Sequence, residues 1–211
     1  MKGTILGLLG LIFLDAPAVV QAQFEYSTNA DGISITITNY DGSGGAVAIP
    51  SNINGLTVTS IGYAAFAFYP LLTSVTIPET INNIGDFAFN YCSNLANVMI
   101  PASVTNIGQY AFIGTGLTNL TIPANLTSIG NEAFGFCENL TNVTIPGDLT
   151  GPADIFEAVF QQSTNLTSAT FASGITDIGY SVFASFPSLT SVTIPGSVTS
   201  IGAVHSNTVA S

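Results

Sequence analysis

The sequence predicts an α/β solenoid: a coil of stacked repeats with a parallel β-sheet along one face and short helical or irregular turns along the other. Three observations predict it. Leu72, Leu95, Leu117, Leu140, Leu166 and Leu189 each restart the same line of residues, at spacings of 23, 22, 23, 26 and 23. A unit of that length cannot bury its own apolar face, so successive units must cover one another. The composition is 47% apolar and only 6% charged, which requires a buried core and excludes a disordered stalk.

The first element, residues 1–22, reads as an export signal. Met1-Lys2 precedes an apolar run from Ile5 to Leu14, and the small side chains of Val20 and Ala22 suit a signal peptidase. Cleavage is expected after Ala22, with a secreted or cell-surface product. The apolar run is shorter than the ~20 residues a membrane span needs, so no membrane insertion is expected once the signal is gone.

Residues 23–45 lack the repeat but contain the alternating run Ile33-Ser34-Ile35-Thr36-Ile37-Thr38, preceded by the turn residues Asn29-Ala30-Asp31-Gly32. A hairpin of Phe24 to Thr28 with Ile33 to Thr38 would form an N-terminal β-hairpin cap on the first coil.

Residues 46–202 hold about seven units, the first loose and the last incomplete. Each unit has three parts, shown best by Leu72 to Cys92. Leu72, Val75 and Ile77 read as a short strand that Pro78 closes, because proline cannot extend a ladder. Ile81 and Ile84 point two more apolar groups inward, and Gly85 is read as the residue that permits the next bend. Phe89, Cys92 and Leu95 recur every three residues, which predicts one or two helical turns. Stacking then aligns Phe66, Phe89, Phe112, Phe134, Phe160 and Phe183 in a column, each five residues after an isoleucine. We read it as an aromatic spine of the core, with a ligand-binding aromatic row as the alternative.

The pattern L-x-x-V-x-I-P-x-x-V-x-x-I-G-x-x-A-F-x-x-C resembles the repeat of the BspA-like bacterial surface-antigen family of leucine-rich repeats. The resemblance covers about Ala46 to Gly202. It implies a curved leucine-rich repeat coil, exported to the surface or medium and used for binding or adhesion, with no catalytic residues to transfer. The sequence departs from the pattern at Gly114-Thr115-Gly116, which lacks the cysteine and one residue, and at Gly151-Pro152-Ala153, where the spacing grows.

At the far end, residues 203–211 form a short polar tail. Ser206 stands where the next phenylalanine is expected, so no cap is apparent, and self-association through this end is an expectation.

Composition excludes several function classes. Lys2 is the only Lys or Arg in the chain, so after signal removal no cation remains to replace counterions on phosphates, and nucleic acid is excluded as a partner. His205 is the only histidine and sits in the tail, which leaves no histidine-based triad or transition-metal site on a rigid element. Cys92 and Cys137 share a column two units apart, hence about 10 Å, beyond the roughly 7 Å a disulfide tolerates. Two buried free thiols are expected. No cofactor is implied.

Paired carboxylates are the remaining catalytic option. The closest acidic grouping, Glu132, Asp148, Asp154 and Glu157, surrounds the inserted loop; a calcium site or epitope competes there with a plain solvated loop. Asn-x-Thr at Asn119, Asn125, Asn139, Asn142 and Asn165 follows from the repeated wording and would matter only in a eukaryotic secretory host.

The outward strand positions carry the sharper signal. Thr76, Met99, Thr121, Thr144, Thr170 and Thr193 form one column, and Ser74, Asn97, Asn119, Asn142, Ser168 and Ser191 another. This nearly uncharged ribbon of hydroxyls and amides also has a plain account, since threonine favours strands and keeps an outer face wet. The function expected is a protein- or glycan-binding module without enzymatic machinery. The alternatives are a structural spacer within a larger surface protein, a carbohydrate-active enzyme using the acidic loop, and an ice-binding lattice that Met99 would interrupt.

Overall fold

The computed structural model describes residues 23–145, 159–178 and 186–201. The predicted signal, the Gly151-Pro152-Ala153 insertion, Phe183, His205 and the polar tail lie outside the described residues.

The chain opens with β1 (Phe24–Thr28) and β2 (Ser34–Tyr40), paired antiparallel with a bulge between Glu25 and Tyr26. Asp31 locks the connecting turn. Its carboxylate accepts the Ser34 hydroxyl at 2.6 Å and the N–H groups of Ser34 and Ile33 at 2.9 and 3.0 Å. The Ser34 hydroxyl, followed by those N–H groups, holds this carboxyl below its ordinary value.

The first coil then places β3 (Gly45–Ala48), β4 (Asn52–Ile53) and β5 (Leu56–Ile61). β4 folds back antiparallel on β5 through Asn54-Gly55, with φ of 53° and 81°. Both central residues are left-handed, as a type I′ hairpin turn demands. This extra hairpin explains why the first copy of the repeat reads loosely in the sequence.

From here each turn repeats two strands. They are β6 (Leu72–Thr76), β7 (Asn83–Ile84), β8 (Asn97–Met99), β9 (Asn106–Ile107), β10 (Asn119–Thr121), β11 (Ser128–Ile129), β12 (Asn142–Ile145), β13 (Ser168–Phe171), β14 (Asp177–Ile178), β15 (Ser191–Thr193) and β16 (Ser200–Ile201). The L-x-x-V-x-I segments form one parallel face, ordered β3-β6-β8 and then β10-β12-β13-β15. The x-I-G segments form a second parallel ladder, in which β2, β5, β7, β9 and β11 follow one another and β14 pairs with β16. β2 is thus both the inner strand of the hairpin and the first rung of that ladder.

The third side corrects the expected helical turns. Among the described residues helical geometry is confined to Val159, and the fold is a β-solenoid. Backbone N–H groups there alternate in direction. Those of Phe87, Phe89 and Tyr91 donate to Gln109, Ala111 and Ile113 of the next turn at 2.9, 2.7 and 2.8 Å. Those of Ala88, Asn90 and Cys92 close local turns onto Gly85, Phe87 and Phe89 at 3.3, 3.0 and 3.2 Å. The three-residue recurrence read as helix is therefore a chain of tight turns, and half of its donors serve the stack.

Left-handed residues enforce this path. Ala64, Phe87, Tyr110 and Glu132 have φ from 50° to 59°, and Phe68, Tyr91, Gly114, Phe136 and Gln162 from 51° to 66°. Gly85, in contrast, does not make the bend expected of it, since Gly62, Gly85, Gly108 and Gly130 are not left-handed. They are glycine because the previous turn is too close. A Cβ on Gly108 or Gly130 would stand 2.4 or 2.3 Å from the backbone nitrogen of Asp86 or Gln109.

The core sits between the three sides. Phe66, Phe89, Phe112 and Phe134 are stacked with centroids 4.9 to 5.0 Å apart, and Phe134 to Phe160 is 5.8 Å. Tyr40 of the hairpin continues the stack at 5.1 Å from Phe66, and burial pushes its phenol above the ordinary value. Among the described residues the column, Phe66, Phe89, Phe112, Phe134 and Phe160, is thus interior and leaves no ring face for a ligand.

Candidate functional site

Serine, threonine and asparagine fall into two groups in this coil. One group is tied inward, each side chain donating to a carbonyl of the preceding turn. Thr141, Thr167 and Thr190 donate to Thr118, Thr141 and Thr167 at 3.2, 3.0 and 3.3 Å. Thr105, Thr127 and Thr199 do the same to Asn82, Thr105 and Thr176 at 3.2, 2.9 and 3.1 Å. These hydroxyls hold the stack together and have little left to offer a ligand.

The second group is the outward strand ribbon. Parallel pairing aligns Thr121, Thr144, Thr170 and Thr193 in one column and Asn119, Asn142, Ser168 and Ser191 in the next. Among the described residues the hydroxyls of Thr121, Thr144, Thr170 and Thr193 make no hydrogen bond to the protein. Rungs of such a ladder recur at ~4.8 Å, so these hydroxyls form a regular row on a support ordered before any ligand arrives. The amides are less available. Asn142 Nδ2 donates to Asn119 Oδ1 at 2.9 Å, and each amide also donates to the threonine before it.

The ribbon is divided. Ser74 lies opposite Asn97 and Thr76 opposite Met99 on β6 and β8, but β8 and β10 are not paired; the N–H of Thr118 reaches Ala96 C=O at 3.4 Å. The break follows the one-residue deletion beside Gly116, where a Cβ would meet Ser93 O at 2.4 Å. Met99, 79% exposed, stands at the seam.

Of the acidic grouping, Asp148, Asp154 and Glu157 lie outside the described residues. Glu132 is half-buried in the left-handed position two residues after Gly130, in the column of Phe87 and Tyr110. Among the described residues no three metal-ligating side chains come together.

The cysteine column has a role that sequence reading missed. Cys92 Sγ donates to Phe66 O at 2.9 Å, and Cys137 Sγ to Phe112 O at 3.3 Å. Thr115 stands in the same column where the cysteine is missing, and donates to Phe112 O at 2.9 Å. Its signal was available: Cys92, Thr115, Cys137 and Ser163 each lie three residues after a spine phenylalanine. Both thiols are free, and burial pushes each up to about 11, so neither is a nucleophile at neutral pH.

Exposed aromatics were also not anticipated. Tyr63, Phe68, Tyr91 and Phe136 are 71, 69, 48 and 42% exposed on the turn side. The left-handed conformation costs a side-chain-bearing residue roughly 1 to 2 kcal/mol, and a stacked ring pair returns roughly 0.5 to 1.5. Phe87, left-handed and packed between Tyr63 and Tyr110 at 5.6 and 5.0 Å, therefore gains little net stability from its ring.

A sequence model described as "BspA type leucine rich repeat region (6 copies)" matches residues 59–154 and 152–205. The chain is 29% identical to the T. pallidum leucine-rich repeat protein TpLRR, with a TM-score of 0.72 over 86% of this chain and 84% of that one. It is 21% identical to the pneumococcal vaccine antigen PcpA, with a TM-score of 0.52 over 85% of this chain but 44% of PcpA. A leucine-rich cell surface protein from Faecalibacterium prausnitzii A2-165 is 20% identical, with a TM-score of 0.31 over 84% of this chain and 76% of that one. Among curated proteins no sequence matches the chain. The matched residues span well over half of the sequence, and the chain belongs to the BspA-type leucine-rich repeat family.

Proposed function

We propose that this chain is an exported binding module that recognises a protein or glycan through its strand ribbon. The observation that carries the reading is the row of Thr121, Thr144, Thr170 and Thr193 hydroxyls, in register and unused by the protein, beside threonine columns whose hydroxyls are tied to carbonyls. A rigid, preordered row loses little entropy when a partner docks. Surface location is supported by the signal-like N-terminus and by the likeness to a protein described as a vaccine antigen.

The test is a binding screen of the purified protein against host-matrix proteins and a glycan array, repeated with Thr121→Tyr, Thr144→Tyr and Thr170→Tyr combined. A saturable partner lost from the triple variant is the expected result. A verified partner that binds the variant unchanged overturns the ribbon as the site.

A second reading, a spacer continued by further coil or by another copy, is favoured by one observation. Val192, Ile194 and Ile201 are 37, 42 and 57% exposed, whereas Val143, Ile145 and Ile178 in the same columns are each 2% exposed. Light scattering across a concentration series separates the two, because association through that end raises the measured mass and leaves the ribbon free.

A further inference from the structure

We propose that the turn edge carrying Tyr63, Phe87 and Tyr110 is a second docking surface, which takes an arginine-bearing peptide segment of another protein. The three rings form a continuous row, with centroids 5.6 and 5.0 Å apart. The row ends in a carboxylate: Glu132 takes the next place in the column, and the N–H of Tyr110 donates to its neighbour Asn131 at 3.1 Å. A second carboxylate flanks it. Asp86, the residue before Phe87, accepts through Oδ1 the N–H of Gln109, the residue before Tyr110, at 2.8 Å.

This combination fits a guanidinium. Its plane stacks on aromatic faces and its N–H groups pair with carboxylates, while an ammonium matches only the charge. The chain itself supplies no competitor, because Lys2 is its only Lys or Arg. Nor does folding account for the rings. Phe87 and Tyr110 hold left-handed backbone positions that favour glycine or asparagine, and Tyr63 is 71% exposed. The neighbouring row of Phe68 and Tyr91, stacked at 5.8 Å, meets Gly114 at its next step instead of a carboxylate, and serves as the internal control.

The test is calorimetric titration of the purified protein with an (Arg-Gly)4 peptide, with (Lys-Gly)4, (Ser-Gly)4 and a neutral cello-oligosaccharide as comparisons. Saturable binding of the arginine peptide is expected, with affinity reduced about tenfold for the lysine peptide and lost for the serine one. Phe87→Asn with Tyr110→Asn, chosen because asparagine tolerates the left-handed backbone, should weaken it about tenfold, and so should Asp86→Asn with Glu132→Gln. Phe68→Asn should leave it unchanged. A measurement on the unmodified protein makes the result independent of variant folding: the ring resonances of Tyr63 and Tyr110 should shift on titration and those of Tyr91 should not. Arginine-peptide binding unchanged by loss of the rings would reveal general attraction to an acidic protein and overturn the proposal. So would the absence of saturable binding, or saturable binding of the oligosaccharide alone.

Discussion

The hydroxyl of Ser163 accepts the backbone N–H of Cys137 at 3.1 Å and donates to the carbonyl of Phe134 at 2.9 Å, joining two residues of the preceding turn through one atom. Ser163 is 1% exposed, so water cannot replace either bond. The same column holds Cys92 and Thr115, and its requirement is a small side chain that can donate to the carbonyl of a spine phenylalanine.

Ser163→Ala should therefore cost more than the removal of one oxygen. Two buried backbone groups lose their partner, and at about 1 to 3 kcal/mol each the loss is about 2 to 6 kcal/mol. Ser163→Cys should recover part of it, because sulfur already fills this role in neighbouring turns. Urea denaturation of the three proteins checks the order.

Phe112→Ala should be among the most damaging single changes. Phe112 is fully buried between Phe89 and Phe134, with both centroids at 5.0 Å. Emptying that slot should cost about 3 to 5 kcal/mol. Thermal unfolding followed by circular dichroism would show it as a lowered midpoint.

Cys92 and Cys137 should be silent toward Ellman's reagent at pH 8 in the native protein and react together in denaturant. Their thiols ionise at about 11 when folded, against 9.0 for an ordinary thiol. Because the folded value is raised, the native state holds these protons more tightly than the unfolded state. The resulting stability is complete below pH 9 and disappears as the pH rises toward 11. Urea midpoints should fall across that window, and fall less in Cys92→Ser with Cys137→Ser; tyrosine ionisation, common to both proteins, cancels in the comparison.

Gly130→Ala should destabilise although the backbone there is not left-handed. The added Cβ would stand 2.3 Å from the nitrogen and 2.5 Å from the Cα of Gln109, so two turns must move apart. A cost of about 1 to 3 kcal/mol is expected. Gly32→Ala is the contrast: its Cβ meets nothing within 4 Å, and only the left-handed φ of 71° is strained. Thermal midpoints of both variants separate crowding from conformation.

Much of the coil was legible because stacking writes itself into periodic apolar positions. The strands at Leu72–Thr76 and their equivalents, the phenylalanine stack and the buried free thiols follow from which residues recur and how far apart. The turn side was not legible in the same way. Phe89, Cys92 and Leu95 share a three-residue spacing that helices and serial tight turns both produce, and only the left-handed residues Phe87 and Tyr91 decide between them. Gly85 was misread for a related reason: a sequence shows that glycine is required but not whether for a torsion angle or for space. On the strand ribbon, the sequence aligned threonines in columns but could not tell Thr144, whose hydroxyl is unused, from Thr141, whose hydroxyl reaches Thr118.

The ladders on all three sides run along the coil axis, and this has a mechanical consequence. A force that separates the two ends acts along the hydrogen bonds, so it peels them open one turn at a time. Few bonds carry load at any moment, and each turn that yields releases 22 or 23 residues of slack at the spacings from Leu72 to Leu140. At about 3.5 Å per extended residue this is about 80 Å per step. Such a coil would lengthen in a series of small, similar events, relaxing under a tug well before its whole structure is lost.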